Sequence, residues 1–301
     1  MILLARHHYE QGDLLKARNL YEKAIKSGIL DTDWMLELAL LYDELEAFDQ
    51  ANHIYDRVLE LNPEESVAYY GKAILLDHMD QFEEAIPWYK KAIEYDGSFM
   101  KAHFFLAYAY DQIGDNSAAV SSYLEALKLE PTDFWTHLNL SHIYEEEKEY
   151  VKARTHIEGA MATDPVHHMV WFNKGVVDMR ESKMKDAIRA FDKVIELMPS
   201  YGYAYLNKGI ILRDQGFVEE AITVFTAGLL ALPEAVYLKY NRACCYLRKN
   251  HEEMACQDLM IILEERPDMA KYMSSDQEVA SLIRETPDLK SRLSLLLQGE
   301  Q

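Results

Sequence analysis

Basic residues, prolines, glycines and cysteines are all scarce in this chain. Lys and Arg number 31 against 51 Asp and Glu, a formal net charge of −20. A surface this acidic repels phosphate backbones and anionic headgroups, so neither nucleic-acid binding nor docking on anionic lipid is expected. Only eight Pro and twelve Gly occur in 301 residues, which disfavours turn-rich sheet and favours helix. Cys244, Cys245 and Cys256 lie in one segment without paired spacings, and they read as reduced, buried thiols. No run of about 18 apolar residues exists, so no membrane-spanning segment is expected. Met1 to Glu10 carries an arginine and two histidines and no small-residue cleavage pattern, which does not suit a signal peptide; a cytoplasmic location is expected.

What the chain has instead is a metre. Pro131, Pro165, Pro199, Pro233 and Pro267 follow one another at intervals of 34, and Pro63 lies 68 before the first of them. Alanines keep the same interval without a gap: Ala17, Ala51, Ala85, Ala119, Ala153, Ala187, Ala221 and Ala255. Four residues after each stands a bulky side chain: Tyr21, Tyr55, Tyr89, Tyr123, Ile157, Phe191, Phe225 and Leu259. Twelve residues before each stands a small one: Ala5, Ala39, Ala73, Ala107, Ser141, Gly175, Gly209 and Ala243. Small residues on two successive helices let their backbones approach, the bulky residue fills the gap between hairpins, and the proline stops the second helix.

This small–alanine–aromatic–proline metre resembles the tetratricopeptide repeat over roughly Met1 to Met269. The resemblance implies an all-α fold, a right-handed superhelical solenoid of eight helix–turn–helix units, at about 1–31, 32–65, 66–99, 100–133, 134–167, 168–201, 202–235 and 236–269. Gly97 and Ile29 replace the proline in the third and first repeats, and Gly228 takes an alanine site, which is expected to loosen the seventh repeat's second helix. The first repeat lacks its opening turn, so its first helix should be short. Residues 270–301 should cap the eighth repeat with two helices. The first is expected to start in a Ser275–Glu278 capping box and end near Glu285; the second should run from Thr286 and Pro287 to about Leu297.

Each first helix carries a second apolar stripe, which the resemblance turns toward the concave side of the superhelix. It includes Leu36 and Leu40, Tyr70 and Ile74, Phe104 and Tyr108, Leu138 and His142, Phe172 and Val176, Leu206 and Ile210, Tyr240 and Cys244. Trp135, Met169, Tyr203 and Tyr237 lie one turn earlier. A row this long exceeds what a bare monomer surface usually shows, although part of it packs helix on helix. Asn139, Asn173, Asn207 and Asn241, again 34 apart, edge the stripe. An amide offers a donor and an acceptor, so such a ladder suits gripping the backbone of an extended peptide; helix-to-helix hydrogen bonding is the competing use. The ladder resembles that in the superhelical arm of O-linked N-acetylglucosamine transferase, and it is expected to face solvent when empty. Acidic Asp43, Glu44, Asp77, Asp111, Glu145 and Glu146 stand in the first half of the row, and Arg180, Arg213 and Arg248, with only Asp214 among them, in the second. Opposite charges at two ends would orient a partner. Lys174, Lys208 and Arg242 follow the asparagines and face inward.

Chemistry is thinly represented. His167 and His168 are adjacent, His137 and His142 are five apart, and no H-E-x-x-H, phosphate-binding glycine loop or nucleophile elbow occurs. No catalytic residue, metal site or cofactor is expected. No three consecutive repeats hold the lysine–asparagine–arginine set that clamps a chaperone tail. The residues point to a non-enzymatic adaptor for an extended peptide. The alternatives are an assembly protein, weakly dimeric through Leu3 and Leu4 of the uncovered first repeat, and the substrate-recruiting arm of an enzyme on another chain.

Overall fold

The computed structural model describes residues 1–298, and the last three residues of the expected capping segment lie outside that range. Nineteen helices and no strand occur among the described residues. They fall into two compact units, Met1–Thr136 and His137–Gln301. The first holds α1 (Ile2–Glu10), α2 (Leu14–Lys26), α3 (Thr32–Glu44), α4 (Phe48–Leu61), α5 (Ser66–Asp77), α6 (Phe82–Tyr95), α7 (Met100–Gln112) and α8 (Asn116–Leu129). The second begins within the first turn of α9 (Phe134–Glu146) and continues with α10 (Tyr150–Thr163), α11 (His168–Arg180), α12 (Met184–Leu197), α13 (Gly202–Asp214), α14 (Val218–Ala231), α15 (Val236–Arg248) and α16 (Glu252–Glu265). It ends in α17 (Met269–Ser275), α18 (Gln277–Glu285) and α19 (Pro287–Gln298). Each odd-numbered helix up to α15 leads through a short turn into its even-numbered partner, the all-helical repeat fold that the metre implies.

The metre is the core. All eight bulky residues are at most 3% exposed, and Tyr89, Tyr123, Phe191, Phe225 and Leu259 are fully covered. Burying a side chain of this size contributes roughly 1.5–3 kcal/mol. The small residues opposite them are needed for want of room: a Cβ on Gly209 would stand 2.3 Å from Phe225 Cε1, and one on Gly175 would stand 2.7 Å from Phe191 Cε1. α12 shows the pattern in one helix. Ala187, Ala190, Phe191 and Val194 recur at helical spacing and are buried, while Lys185, Asp186 and Arg189 face solvent.

A second 34-residue series sits in the turns. Gly12, Glu46, Asp80, Gly114, Lys148, Ser182, Gly216 and Asn250 all have positive φ, from 55° at Glu46 to 87° at Gly216. Each follows the first helix of its pair, and the next residue's N–H reaches back five positions, as in Ala47 N to Tyr42 O (2.8 Å) and Glu149 N to Tyr144 O (2.8 Å). This closes off the helix's last carbonyls in a left-handed cap. Glycine occupies only three of the eight sites, so composition does not reveal the series. Gly28 (φ 77°) ends α2 in the same way, which explains why the first repeat manages with Ile29 where Pro63 stands one repeat later.

Three expectations are corrected. Gly228 does not loosen α14, which is an uninterrupted helix; a Cβ there would stand 2.9 Å from Tyr205 Cγ and 2.8 Å from Leu238 Cδ1, so the glycine admits a tight contact. The segment after Pro267 forms three helices, because Met269–Ser275 is a short helix of its own that buries Ala270 and Met273. The N-cap of α18 is Asp276, whose Oδ1 accepts from the Glu278 N–H at 2.7 Å, while the Ser275 hydroxyl donates to Tyr272 O at 2.8 Å inside α17. The Glu278 side chain is drawn instead to Arg248, 2.5 Å away. At the other end α1 is short, with Ile2 on the core and Leu3 and Leu4 79% and 50% exposed.

A left-handed conformation costs a non-glycine residue about 1–2 kcal/mol, part of which glycine gives back as chain entropy. Lys148→Gly is therefore expected to raise the urea unfolding free energy by about 0.5–1 kcal/mol. Gly114→Ala is expected to lower it by a similar amount. Equal stability of the three proteins would contradict the strain assigned to these turns.

Candidate functional site

The asparagine row lies on α9, α11, α13 and α15 of the second unit, and its four amides are not equivalent. Asn173 Nδ2 donates to Ser141 Oγ at 2.9 Å and to Leu138 O at 3.4 Å. Ser141 permits this: it fills the small-residue site, donates its own proton to Leu138 O at 2.7 Å, and so presents a lone pair to the next repeat. Asn241 Nδ2 donates to Tyr237 O at 2.8 Å, and its Oδ1 accepts from Arg213 Nη1 at 3.1 Å. The expectation that the whole ladder faces solvent is therefore not met at Asn173 and Asn241, which tie helices together. Asn207 has no hydrogen bond among the described residues, and Asn173 Oδ1 accepts none. Asn139 is half-buried on α9.

Aromatic rings flank the two available amides. Tyr203 is 56% exposed, and its ring stacks on that of Tyr237 at 5.4 Å and 7°. Phe172 and Asn173, with His142, Glu145 and Val176, line a small pocket of about 90 Å³. Trp135 is half exposed. Tyr240, expected in the same row, is buried: its hydroxyl donates to Asp276, its ring meets Tyr272 edge-on at 5.3 Å, and the C-terminal helices cover it together with Cys244.

The expected basic end of the row is neutralised from within. Arg180 Nε donates to Glu145 Oε1 (2.8 Å), Arg213 pairs with Asp214 (2.9 Å) as well as with Asn241, and Arg248 pairs with Glu278 of α18. Glu145, counted on the acidic half by position, is thus the partner of an arginine one repeat on. Lys174, Lys208 and Arg242 do face inward, each held by a carboxylate, Asp178, Asp192 and Asp258 respectively.

In the first unit, the structure brings Tyr70, Asp77 and Tyr108 together around a cavity of about 490 Å³ between α3, α5 and α7. Phe104 instead packs edge-on against Tyr123 at 5.5 Å, and Asp111 is half-buried near the end of α7. Asp43 joins the cavity, with residues not foreseen there: Tyr55, Gly71, His78 and Phe105. The origin of the space is legible at one column of the repeat. Tyr21 Oη donates to Glu37 at 2.6 Å; 34 residues on, Gly71 offers Tyr55 no acceptor, and 34 further Phe105 stacks on Tyr89 at 6.4 Å. The Tyr55 ring lies directly on Gly71, where a Cβ would stand 2.1 Å from Cζ.

The cavity's polar groups are poorly satisfied. Tyr55 is 1% exposed and its hydroxyl, like that of Tyr70, has no hydrogen-bond partner among the described residues. Asp77 Oδ1 is buried without a hydrogen bond, and His78 Nδ1 stands 3.1 Å from the buried Asp43 Oδ1, where it acts against the effect of burial on that carboxyl. Asp77 Oδ2 accepts from Tyr89 Oη. Burial pushes the Asp77 carboxyl up to about 6, against the lowering effect of Tyr89 and His78, and raises Asp43 as well. In the second unit burial and the neighbouring His137 hold His156 down to about 4; the two Nδ1 atoms are 3.0 Å apart.

Models of the tetratricopeptide repeat match residues 2–51 and 36–99, 101–133, and 122–155. The chain belongs to the tetratricopeptide repeat family. Members of that family generally mediate protein interactions. Solved structures show the same fold at low identity. A tetratricopeptide repeat protein from Parabacteroides merdae aligns with a TM-score of 0.63 at 14% identity, covering 88% of this chain and 98% of that one. A chain of the APC/C hetero-tetramer Cut9–Hcn1 aligns at 0.60 and 18%, covering 90% of this chain and 52% of that one, so this tetratricopeptide chain spans about half of its length. YrrB, described as a TPR protein with an unusual peptide-binding site, aligns at 0.55 and 21%, covering 62% of this chain and 97% of that one. No curated protein sequence matches. No helix among the described residues is long and apolar enough to cross a membrane, and no three His, Cys, Asp or Glu side chains among them converge on a metal position.

The two perturbed groups act on stability with opposite signs. Asp77 binds its proton near pH 6 when folded and near 3.8 when unfolded, so the folded form gains as pH falls from about 6 toward 3.8. His156 titrates near 4 when folded and near 6.5 when unfolded, so stability is lost as pH falls through that window. Titration of ¹³C-labelled aspartate and histidine is expected to give midpoints near 6 for Asp77 and near 4 for His156, and Asp77→Asn to remove the first gain. Midpoints at the unfolded-chain values would contradict the burial of both.

Proposed function

We propose that this chain is a non-enzymatic adaptor that holds an extended polypeptide segment along α9, α11, α13 and α15. The observation that carries the reading is Asn207: a donor and an acceptor, unbonded among the described residues, one helical turn after the exposed Tyr203 on α13. Stacked helices are about 8–10 Å apart and an extended chain advances about 3.3 Å per residue, so one amide can meet the peptide backbone at every third residue or so. Backbone recognition of this kind is indifferent to sequence, and the flanking rings supply selection for apolar side chains. The peptide-binding site described for YrrB, on the same fold, supports this reading.

The division of labour within the row makes the test specific. Peptides selected by display on the full chain provide the probe, and affinity is measured by calorimetry. Asn207→Ala should weaken binding about five- to thirtyfold, the loss of one or two hydrogen bonds at about 1 kcal/mol each, without moving the melting temperature. Asn173→Ala should also destabilise the fold by about 1 kcal/mol, because it takes a donor from Ser141 and Leu138. Unchanged affinity in Asn207→Ala would remove the basis for the adaptor reading.

A further inference from the structure

We propose that the cavity between α3, α5 and α7 receives the cationic side chain of a partner polypeptide, a lysine or an arginine, seated between Asp43, Asp77 and the hydroxyls of Tyr55 and Tyr70. The inference rests on the adaptor reading for the kind of partner and on the cavity alone for its chemistry. A fully covered tyrosine whose hydroxyl opens on a cavity and bonds to nothing is an unmet polar group, and two buried carboxylate oxygens beside it are unmet as well. The two carboxylate oxygens want donors and the tyrosine hydroxyl oxygens can accept one, and an ammonium or guanidinium supplies several charge-assisted ones at once.

The repeat shows what is missing. In the second unit Glu145 is neutralised by Arg180, 35 residues on. The residue 35 after Asp43 is His78, 3.1 Å away and a counter-ion only when protonated, and the residue 35 after Asp77 is Gln112, which carries no charge. Lys101 stands at the rim with no carboxylate partner among the described residues, and Asp80 adds a further negative charge there. Unlike Glu145, the carboxylates of this column therefore touch no permanently charged side chain among the described residues. A divalent metal fits poorly, since no three ligating side chains converge. A basic side chain fits on both counts: its alkyl stem has Leu40, Ile74 and Phe82 to lie against, and its charge has the rings of Tyr70 and Tyr108 at hand. A volume of about 490 Å³ is ample for one such side chain.

The test uses the full chain and four probes: the peptide acetyl-Ala-Ala-Lys-Ala-Ala-amide, its Nε-acetyl-lysine counterpart, n-butylammonium and spermidine. The lysine peptide is expected to shift the ¹³C carboxyl signals of Asp43 and Asp77 and to move the Asp77 midpoint below 6, because a bound cation favours the carboxylate. The acetylated peptide should do neither. Asp77→Asn and Tyr55→Phe, which keep volume and are checked for folding by circular dichroism, should each weaken the lysine peptide at least fivefold. Equal binding of the acetylated peptide, or unchanged binding in both variants, would overturn the cavity as a cation site. Tighter binding of spermidine or n-butylammonium than of the peptide would overturn its assignment to a polypeptide. A lysine peptide that does not bind at all would overturn this inference while leaving the adaptor reading to the Asn207 measurement.

Discussion

The structure depends on a close approach of helix backbones repeated eight times. At each, a residue with little or no side chain lies beneath a buried ring or branched chain: Gly209 beneath Phe225, Gly175 beneath Phe191, Ala73 and Ala107 in the corresponding places by Tyr89 and Tyr123. The attraction is short-ranged dispersion and apolar burial, so it holds only if the spacing is kept within a few tenths of an ångström. That tolerance explains a metre without insertions, since an added residue would rotate a ring off its seat by about 100° of helix. The left-handed turn after each first helix serves the same end. It fixes where the second helix starts, and five of the eight turns accept the strain of a non-glycine residue to do so.

At some places the interlock leaves polar groups without partners. Three tyrosines of one column illustrate the range. Tyr21 finds Glu37, Tyr89 finds Asp77, and Tyr55 finds the bare backbone of Gly71 and a cavity. The asparagine row divides in the same way. Asn173 and Asn241 are drawn into the joints between helices, and Asn207 makes no hydrogen bond among the described residues. At the far end α17 and α18 take up groups that would otherwise be exposed: Asp276 receives the Tyr240 hydroxyl while capping α18, and Glu278 neutralises Arg248.

The fold was legible in the chain to the level of single repeats, because the 34-residue period is itself a packing rule and every unit obeys it; α17, outside the period, was not. The short α1 and the start of α19 at Pro287 agree with the missing opening turn and the proline position. The site was legible only in part. Tyr70, Asp77 and Tyr108 could be placed on one side of their helices by spacing, but the cavity they share needs Tyr55, which was read as pure filler. A signal existed in the column Glu37, Gly71, Phe105, where the acceptor is lost and the space is kept. A cap over the eighth repeat was expected from the sequence, but not that it would cover Tyr240, because the helices that do so come from outside the metre.

The sequence by itself determined the repeat, its length, the residues of the core and the acidic character of the surface, because these rest on periodic local geometry and on composition. Only the tertiary structure decided which polar groups remain free. Whether an asparagine grips a neighbouring helix or faces solvent, and whether an arginine is a docking charge or half of an internal pair, turns on contacts of about 3 Å between residues some 30 positions apart. Such distances depend on how each helix is seated, and a period in the sequence does not specify that seating.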